Sequence, residues 1–211
     1  MPLKDEIKNI ISGTGFVTKG NIIHAVANHI RKSKKASTVP KEKELVKEQE
    51  AERILAFARR HEFLLPTINR DRYLAEGAEQ KVYFEPDGRH VIKLNDSIFY
   101  ETWEDYFNSL LLHNYFFPET SYELTGFYHE NNKLYAVVKQ VYVFANEATD
   151  ESAINKFMTA NGFQSKRNND YFSKELGIIL EDLHDENVLT SNAVLFFIDT
   201  VFYLTSDFYN G

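Results

Sequence analysis

The densest polar constellation in an otherwise apolar region is Glu181-Asp182-Leu183-His184-Asp185-Glu186-Asn187. Val188-Leu189 follows it, and ten residues past Leu189 comes Asp199, behind Phe196-Phe197-Ile198. Apolar stretches on both sides should anchor this loop, so its side chains are expected to hold fixed positions. Phosphoryl transfer needs a carboxylate to orient an attacking hydroxyl, and an amide oxygen plus a second carboxylate to hold Mg²⁺ on nucleotide phosphates. Asp182, Asn187 and Asp199 offer those three groups. Simpler readings use the same residues: a polar turn capped by its own side chains, and for Asp199 a strand-end carboxylate with a structural hydrogen bond. A His/Asp transition-metal site would rest on ligands three residues apart with no second His cluster, so His184 reads better as a loop-shaping residue.

These groups must be carried by regular elements. Ile7, Ile10 and Ile11, then Ile22, Ile23, Val26, Ala27 and Ile30, recur at helical spacing with Gly13, Gly15 and Gly20 between them, which predicts two short helices. Residues 36–40 read as a linker, and Lys41 to Arg60 as a long helix with a narrow apolar stripe that ends before Leu65-Pro66. Beyond Pro66 the texture turns to aromatic and β-branched clusters. Residues 81–84 and 90–94, joined by Pro86-Asp87-Gly88, predict a hairpin. A helix should follow, with Phe99, Trp103 and Phe107 as its core stripe and Pro118 beyond its end. Residues 124–129 and 134–143 predict a second hairpin turning at Asn131-Asn132. Thr149 is the expected N-cap of a short helix that Asn161-Gly162 ends. Residues 178–180, 187–189 and 194–198 are apolar pieces around the polar loop.

A single Asp-to-Asn step is a weak pattern, and its company decides its meaning. The step from Asp182 to Asn187 equals that in the kinase motif H-R-D-L-x-x-x-N, and Asp199 falls where D-F-G would lie. Upstream, Glu76-Gly77-Ala78-Glu79-Gln80-Lys81-Val82-Tyr83 stands where a glycine loop would cover phosphates. Val91-Ile92-Lys93 matches V-A-I-K, whose lysine neutralises the α/β-phosphates, and a helix rich in Glu follows, with Glu104 and Glu101 as the two candidate partners of Lys93. Alone, Lys93 would read as a surface lysine on an edge strand; its place in an ordered series gives it a role.

Over residues 74–204 the chain therefore resembles the protein-kinase-like superfamily, and specifically the kinase-like domain of polyvalent proteins from bacterial mobile elements and phages. The runs above carry the resemblance together with Leu94-Asn95-Asp96, Leu111-Leu112-His113-Asn114-Tyr115-Phe116-Phe117-Pro118, Leu180 to Leu189 and Phe197-Ile198-Asp199-Thr200. The last two are also similar to the D-L-H-x-x-N-V-L and I-D of aminoglycoside-phosphotransferase-like kinases. The resemblance implies an α+β, two-lobed protein-kinase-like fold with a reduced C-lobe, and ATP with Mg²⁺ in the cleft. Gly77 and Lys93 would contact the nucleotide. Leu134 to Val141 looks like the fifth kinase strand running into a hinge, where the backbone of Lys139 and Val141 would bond adenine with Val138 as gatekeeper. Asn187 and Asp199 would hold Mg²⁺, while Asp182, Lys93 and Glu104 would serve catalysis. A host among Bacteroides-type conjugative elements is implied as well. The chain departs from the kinase pattern in keeping one loop glycine, Gly77, in placing Leu180 and Glu181 where His and Arg of H-R-D stand, and in placing Thr200 for Phe of D-F-G. Only 12 residues follow Asp199, so an activation segment and peptide-docking helices are not expected. The acceptor, a small molecule or a protein, is unassigned.

Composition bounds the remaining choices. The chain has 211 residues, 43% of them hydrophobic, with 17 Phe and 12 Tyr, enough apolar surface for an ordered core. Without cysteine, disulfides and thiolate chemistry are excluded. No apolar run approaches the roughly 18 residues of a membrane span, nor does a signal core follow the N-terminus, so a cytoplasmic protein without membrane contact is expected. The net charge of −7 hides an asymmetry: residues 1–60 carry 13 Lys/Arg against 7 Asp/Glu, and residues 61–211 carry 11 against 24. An acidic body would repel a phosphate backbone, whereas residues 31–35 offer a candidate weak nucleic-acid contact. Three parts are expected: a helical N-terminal extension over 1–62, an N-lobe over 63–146 and a C-lobe over 147–211. Residues 63–211 should fold without the extension unless the 41–60 helix packs on them as a wall. The favoured function is an ATP-binding kinase-like phosphotransferase. Its alternatives are a catalytically silent, nucleotide-gated pseudokinase module of a mobile element and a DNA-associated adaptor acting through residues 1–60.

Overall fold

The computed structural model describes residues 1–34, 43–77 and 80–210. In chain order its elements are α1 (Leu3–Ser12), α2 (Asn21–Lys34), α3 (Lys43–Arg60), β1 (Tyr73–Glu76), β2 (Gln80–Phe84), β3 (His90–Asn95), α4 (Trp103–Phe116), a 3-10 turn at Pro118–Thr120, β4 (Glu123–Glu130), β5 (Lys133–Val141), α5 (Glu151–Ala160), β6 (Gln164–Ser165), β7 (Tyr171–Ser173), β8 (Ile178–Glu181), β9 (Val188–Ser191), β10 (Val194–Phe197), β11 (Val201–Leu204) and α6 (Ser206–Tyr209). The fold is α+β, and every ladder between these strands is antiparallel. The expected linker at 36–40, the helix start at Lys41 and loop residues Ala78 and Glu79 lie outside the described residues.

A five-stranded sheet runs in the order β1-β2-β3-β5-β4, a four-stranded one in the order β11-β8-β7-β6, and β9 with β10 forms a hairpin. Both expected turns form: Asn131 and Asn132 take φ of 49° and 63°, the left-handed region that Asn tolerates and a tight hairpin turn needs. In the five-stranded sheet, Lys93 pairs with Val82 and Val138 while its neighbour Ile92 pairs with Tyr83 and Lys139. Because side chains alternate along a strand, Val91, Lys93, Val138 and Gln140 share one face, and Ile92, Leu94, Val137 and Lys139 share the other.

The central helix is α4. Thr102 and Asp105 start it with a reciprocal capping box, and ten residues from Trp103 to Asn114 are buried, because neighbours cover it on several sides. The core runs unbroken from Ile7, Ile23, Ile30 and Ile54 of α1–α3 through Phe107 and Leu111 of α4 to Leu180 and Phe202. Polar ties reinforce this packing. Arg31 of α2 donates to Glu104 and Asn108 of α4, each at 2.7 Å, and to the carbonyl of Ile11. From α3, Lys47 donates to the carbonyls of Ser97 and Tyr100, while Glu50 accepts the backbone N–H of Trp103 at 2.6 Å. Among the described residues α3 thus packs on α4 and the segment before it, the arrangement that the sequence left open. Phe99, expected in the core stripe, is instead 52% exposed, since α4 begins four residues later. The helix α5 is capped by the Asp150 carboxylate on Ser152 N–H, whereas the Thr149 hydroxyl pairs with that of Thr190.

Candidate active site

Leu180, Leu183 and Val188 are buried and clamp the polar loop at both ends. Between them Asp182 takes a left-handed φ of 66°, and its N–H donates to the Asp170 carboxylate. The loop then closes on itself. The Asn187 side-chain amide donates at 2.8 Å both to the carbonyl and to the carboxylate of Asp182, and His184 Nε2 lies 3.2 Å from the other carboxylate oxygen. His184 Nδ1 accepts the N–H of Glu186, which turns Nε2 toward Asp182 and the Asn187 amide. His184 shapes the loop, as the spacing suggested. Glu181, where a kinase has arginine, is held above the usual carboxylate range by burial and by nearby Asp170.

The hairpin β9–β10 returns the chain beside this loop, where the carbonyl of Asn187 accepts the N–H groups of Ile198 and Asp199. Asp199 meets the sheet here. Its carboxylate lies 3.8 Å from Lys93 Nζ, and the same ammonium donates at 2.8 Å to the carbonyl of Ile198 and sits 5.3 Å from the Tyr122 ring centroid. Lys93 is 4% exposed, so this is an ion pair at the floor of a cleft rather than a solvated edge lysine. The Gln80 side-chain amide also donates to the Asp199 carboxylate. The sequence placed Gln80 only within the Glu76–Tyr83 run and gave it no role; it starts β2 and is 119 residues from its partner.

Two chambers adjoin at this point. One, of about 410 Å³, lies between the Lys93 face of the sheet and Leu189 and Ile198, with Gly77 and Val141 on its walls. The other, of about 450 Å³, is lined by Asp170, Asp182, Asn187, Phe99 and Tyr203. Gly77, Gln80, Glu186 and Asp199 border both. A Cβ added at Gly77 would meet nothing within 4 Å among the described residues.

The structure thus brings together Gly77, Lys93, Val141, Asp182, Asn187 and Asp199. Val138 shares the cleft face but is buried opposite Lys93, and Gln140, two residues on, lines the first chamber. Lys139 is not brought there. Its backbone is paired within the sheet with Ile92 and Glu123, and its side chain meets Glu85 and Asp87 beside a cavity on the opposite face. The strand runs to Val141, so Lys139 lies within the ladder rather than in a segment leaving the sheet at the cleft. Glu104 is given to Arg31 rather than to the cleft, at 2.7 Å with both side chains about one-fifth exposed. Among the described residues the carboxylate within ion-pair distance of Lys93 is that of Asp199. Arg31, first of the basic residues 31–35, is likewise turned inward, which leaves Lys32 exposed; Lys35 lies outside the described residues, and so do the side chains of Ser33 and Lys34.

The donor set suits a hard cation. With its amide nitrogen on Asp182, Asn187 keeps its side-chain oxygen as an acceptor, and Asn187 and Asp199 line the same chamber. Among the described residues no cluster of three or more His, Cys, Asp or Glu could hold a metal, but Mg²⁺ shared with phosphates needs only one or two protein ligands. No helix among the described residues is long and apolar enough to cross a membrane.

Searches of curated proteins and of solved structures each found no match. A family model, that of the serine/threonine/tyrosine kinase found in polyvalent proteins, matches residues 47–206. The match spans the sheet, α4, the polar loop and Asp199, three quarters of the chain, and so the protein belongs to the polyvalent-protein kinase family.

Proposed function

We propose that the protein is an ATP-dependent, Mg²⁺-requiring phosphotransferase in a two-lobed arrangement, residues 63–146 forming the upper lobe and 147–211 a reduced lower one, with residues 1–62 as a helical extension. The observation that carries this reading is the Lys93–Asp199 ion pair at the junction of two chambers, with Asn187 and Asp182 next along the same floor. In it the 410 Å³ chamber takes the nucleotide, its base toward Gln140 and Val141 and its phosphates toward Lys93. The Lys93 ammonium neutralises phosphate charge in a buried setting, where an ion attracts more strongly than in water. Asn187 and Asp199 would hold Mg²⁺, which when bound neutralises charge on the transferring phosphoryl group. Asp182, pinned by Asn187 and His184, faces the second chamber, where it orients an acceptor hydroxyl and takes its proton. A member of this family in the cytoplasm of a host carrying a mobile element, of the Bacteroides type, fits this chemistry.

The contact between Gln80 and Asp199 favours a second reading. It occupies a carboxylate that a metal would need, as in a nucleotide-gated binding module without turnover. The two readings separate in an assay of γ-phosphate release from ATP with Mg²⁺, by the native chain and by Asp182→Asn. The phosphotransferase reading expects the variant to bind ATP and to be slower by about 10²–10⁴. A native chain that binds MgATP and is no faster than the variant leaves the gated module.

A further inference from the structure

Asp199 sits on a segment whose polar groups are taken one after another by residues from elsewhere. The carbonyl of Phe197 accepts the Thr120 hydroxyl at 2.6 Å. That of Ile198 accepts both Lys93 Nζ and the Tyr122 hydroxyl, each at 2.8 Å. The Thr200 hydroxyl lies 2.7 Å from Nδ1 of His113 on α4. His113 is fully buried, and its Nε2 is 3.0 Å from the carbonyl of Thr120. A carbonyl only accepts, so Nε2 carries the proton, and bare Nδ1 accepts from the Thr200 hydroxyl. Burial holds this imidazole far below its usual range, at about 3, so it stays neutral and keeps that tautomer. The same carbonyl of Thr120 accepts the Gln140 side-chain amide at 2.7 Å, and Gln140 lines the nucleotide chamber.

His113 borders neither chamber and takes no part in the chemistry assigned above. A buried imidazole nevertheless needs both nitrogens satisfied, a demand that an apolar residue would avoid. We propose that His113 is a positioning residue: through the Thr200 hydroxyl it fixes the backbone that aims the Asp199 carboxylate, and through Thr120 it joins that carboxylate to Gln140 at the other end of the cleft. This rests on the nucleotide reading of the cleft. Partners one shell out from a metal-holding carboxylate commonly set its orientation.

The test compares Thr200→Val with Thr200→Ser by calorimetric titration with ATP, with and without Mg²⁺. Val keeps the volume and loses the hydroxyl; Ser does the reverse. Thr200→Val is expected to lose about tenfold in the affinity gained from Mg²⁺ while keeping its Mg²⁺-free affinity, and Thr200→Ser is expected to retain most of the gain. A packing role predicts the opposite order, with Val equal to the native chain, and would overturn the proposal. His113→Phe, a ring without nitrogens, should behave as Thr200→Val. If it fails to melt cooperatively, the Thr200 pair decides alone. A native chain whose ATP affinity does not respond to Mg²⁺ overturns the nucleotide reading itself, and the role of His113 with it, and that failure is visible before any variant is made.

Discussion

The two faces of the five-stranded sheet carry cavities of similar size, about 410 Å³ on the Lys93 face and about 450 Å³ on the Lys139 face. Each has a lysine from the same pair of neighbouring strands. Lys93 is buried against Asp199 and the carbonyl of Ile198, whereas Lys139 is about one-quarter exposed and meets Glu85 and Asp87 of a nearby turn. Volume therefore does not separate a site from a dent. On the Lys93 face, groups from distant parts of the chain converge: β2, β3, the 182–187 loop and the segment after β10. On the Lys139 face the ion pairs join β5 to the adjacent β2–β3 turn, and Glu123 of β4 also lines the cavity. Strand parity sends each lysine to its face, and the return of the β9–β10 hairpin gives only one of them a partner on an independent element.

The largest effect should follow from removing the support of the Lys93 face. That face is backed by α4, and α4 is covered by α1–α3. Fully buried Ile7, Ile23, Ile30 and Ile54 each contribute about 1.5–3 kcal/mol, so the four together rival the net stability of a typical domain, about 5–15 kcal/mol. Residues 63–211 alone should show no cooperative melting by circular dichroism; a sharp transition with ATP binding intact would show that α1–α3 are an appendage.

Next comes the contrast between the lysines. Lys93→Met should weaken MgATP binding by about 10–100-fold, the range for losing a hydrogen bond to a charged group. Lys139→Met should change it by less than about twofold, since an exposed ion pair is worth little. Equal losses in a calorimetric titration would erase the distinction between the faces.

A smaller effect is the acid sensitivity of the cleft-side core. The unfolded chain takes a proton on His113 as pH falls through about 6.5, while the folded chain resists until about 3. Stability should then decline as pH falls across that window, and the decline should be shallower in a folded His113→Phe variant. Urea midpoints measured between pH 7 and pH 4 check this.

What was legible follows the range of the interactions involved. Both hairpin turns and the helical stripes of Ile7–Ile11 and Ile22–Ile30 are local patterns, and they appear where spacing placed them; the Asp182-to-Asn187 step likewise closes as a contact within one loop. The charge reversal near residue 60 suggested a separate extension because charge describes the surface, while the shared core of α1–α3 and α4 is apolar contact between distant segments. Lys139 was given to the hinge although it lies inside the ladder, because an apolar run does not mark which residue leaves a ladder. Gln80 and His113 lay within runs that carried the resemblance but had no role of their own: a glutamine after a loop and a histidine on an apolar helix acquire one only from partners 119 and 87 residues away.

The central claim is that the Lys93 face binds nucleotide through a metal held at Asp199. A thermal melt of the full chain with millimolar ATP, with and without Mg²⁺, alongside Asp199→Asn, tests it most directly. At a ligand concentration one hundred times its dissociation constant, binding stabilises by about 2.7 kcal/mol, which for a chain of this length raises the melting temperature by about 5–11 °C. The predicted result is that rise for the native chain with MgATP and a clearly smaller one for Asp199→Asn. No shift in the native chain, or an equal shift in the variant, would contradict it.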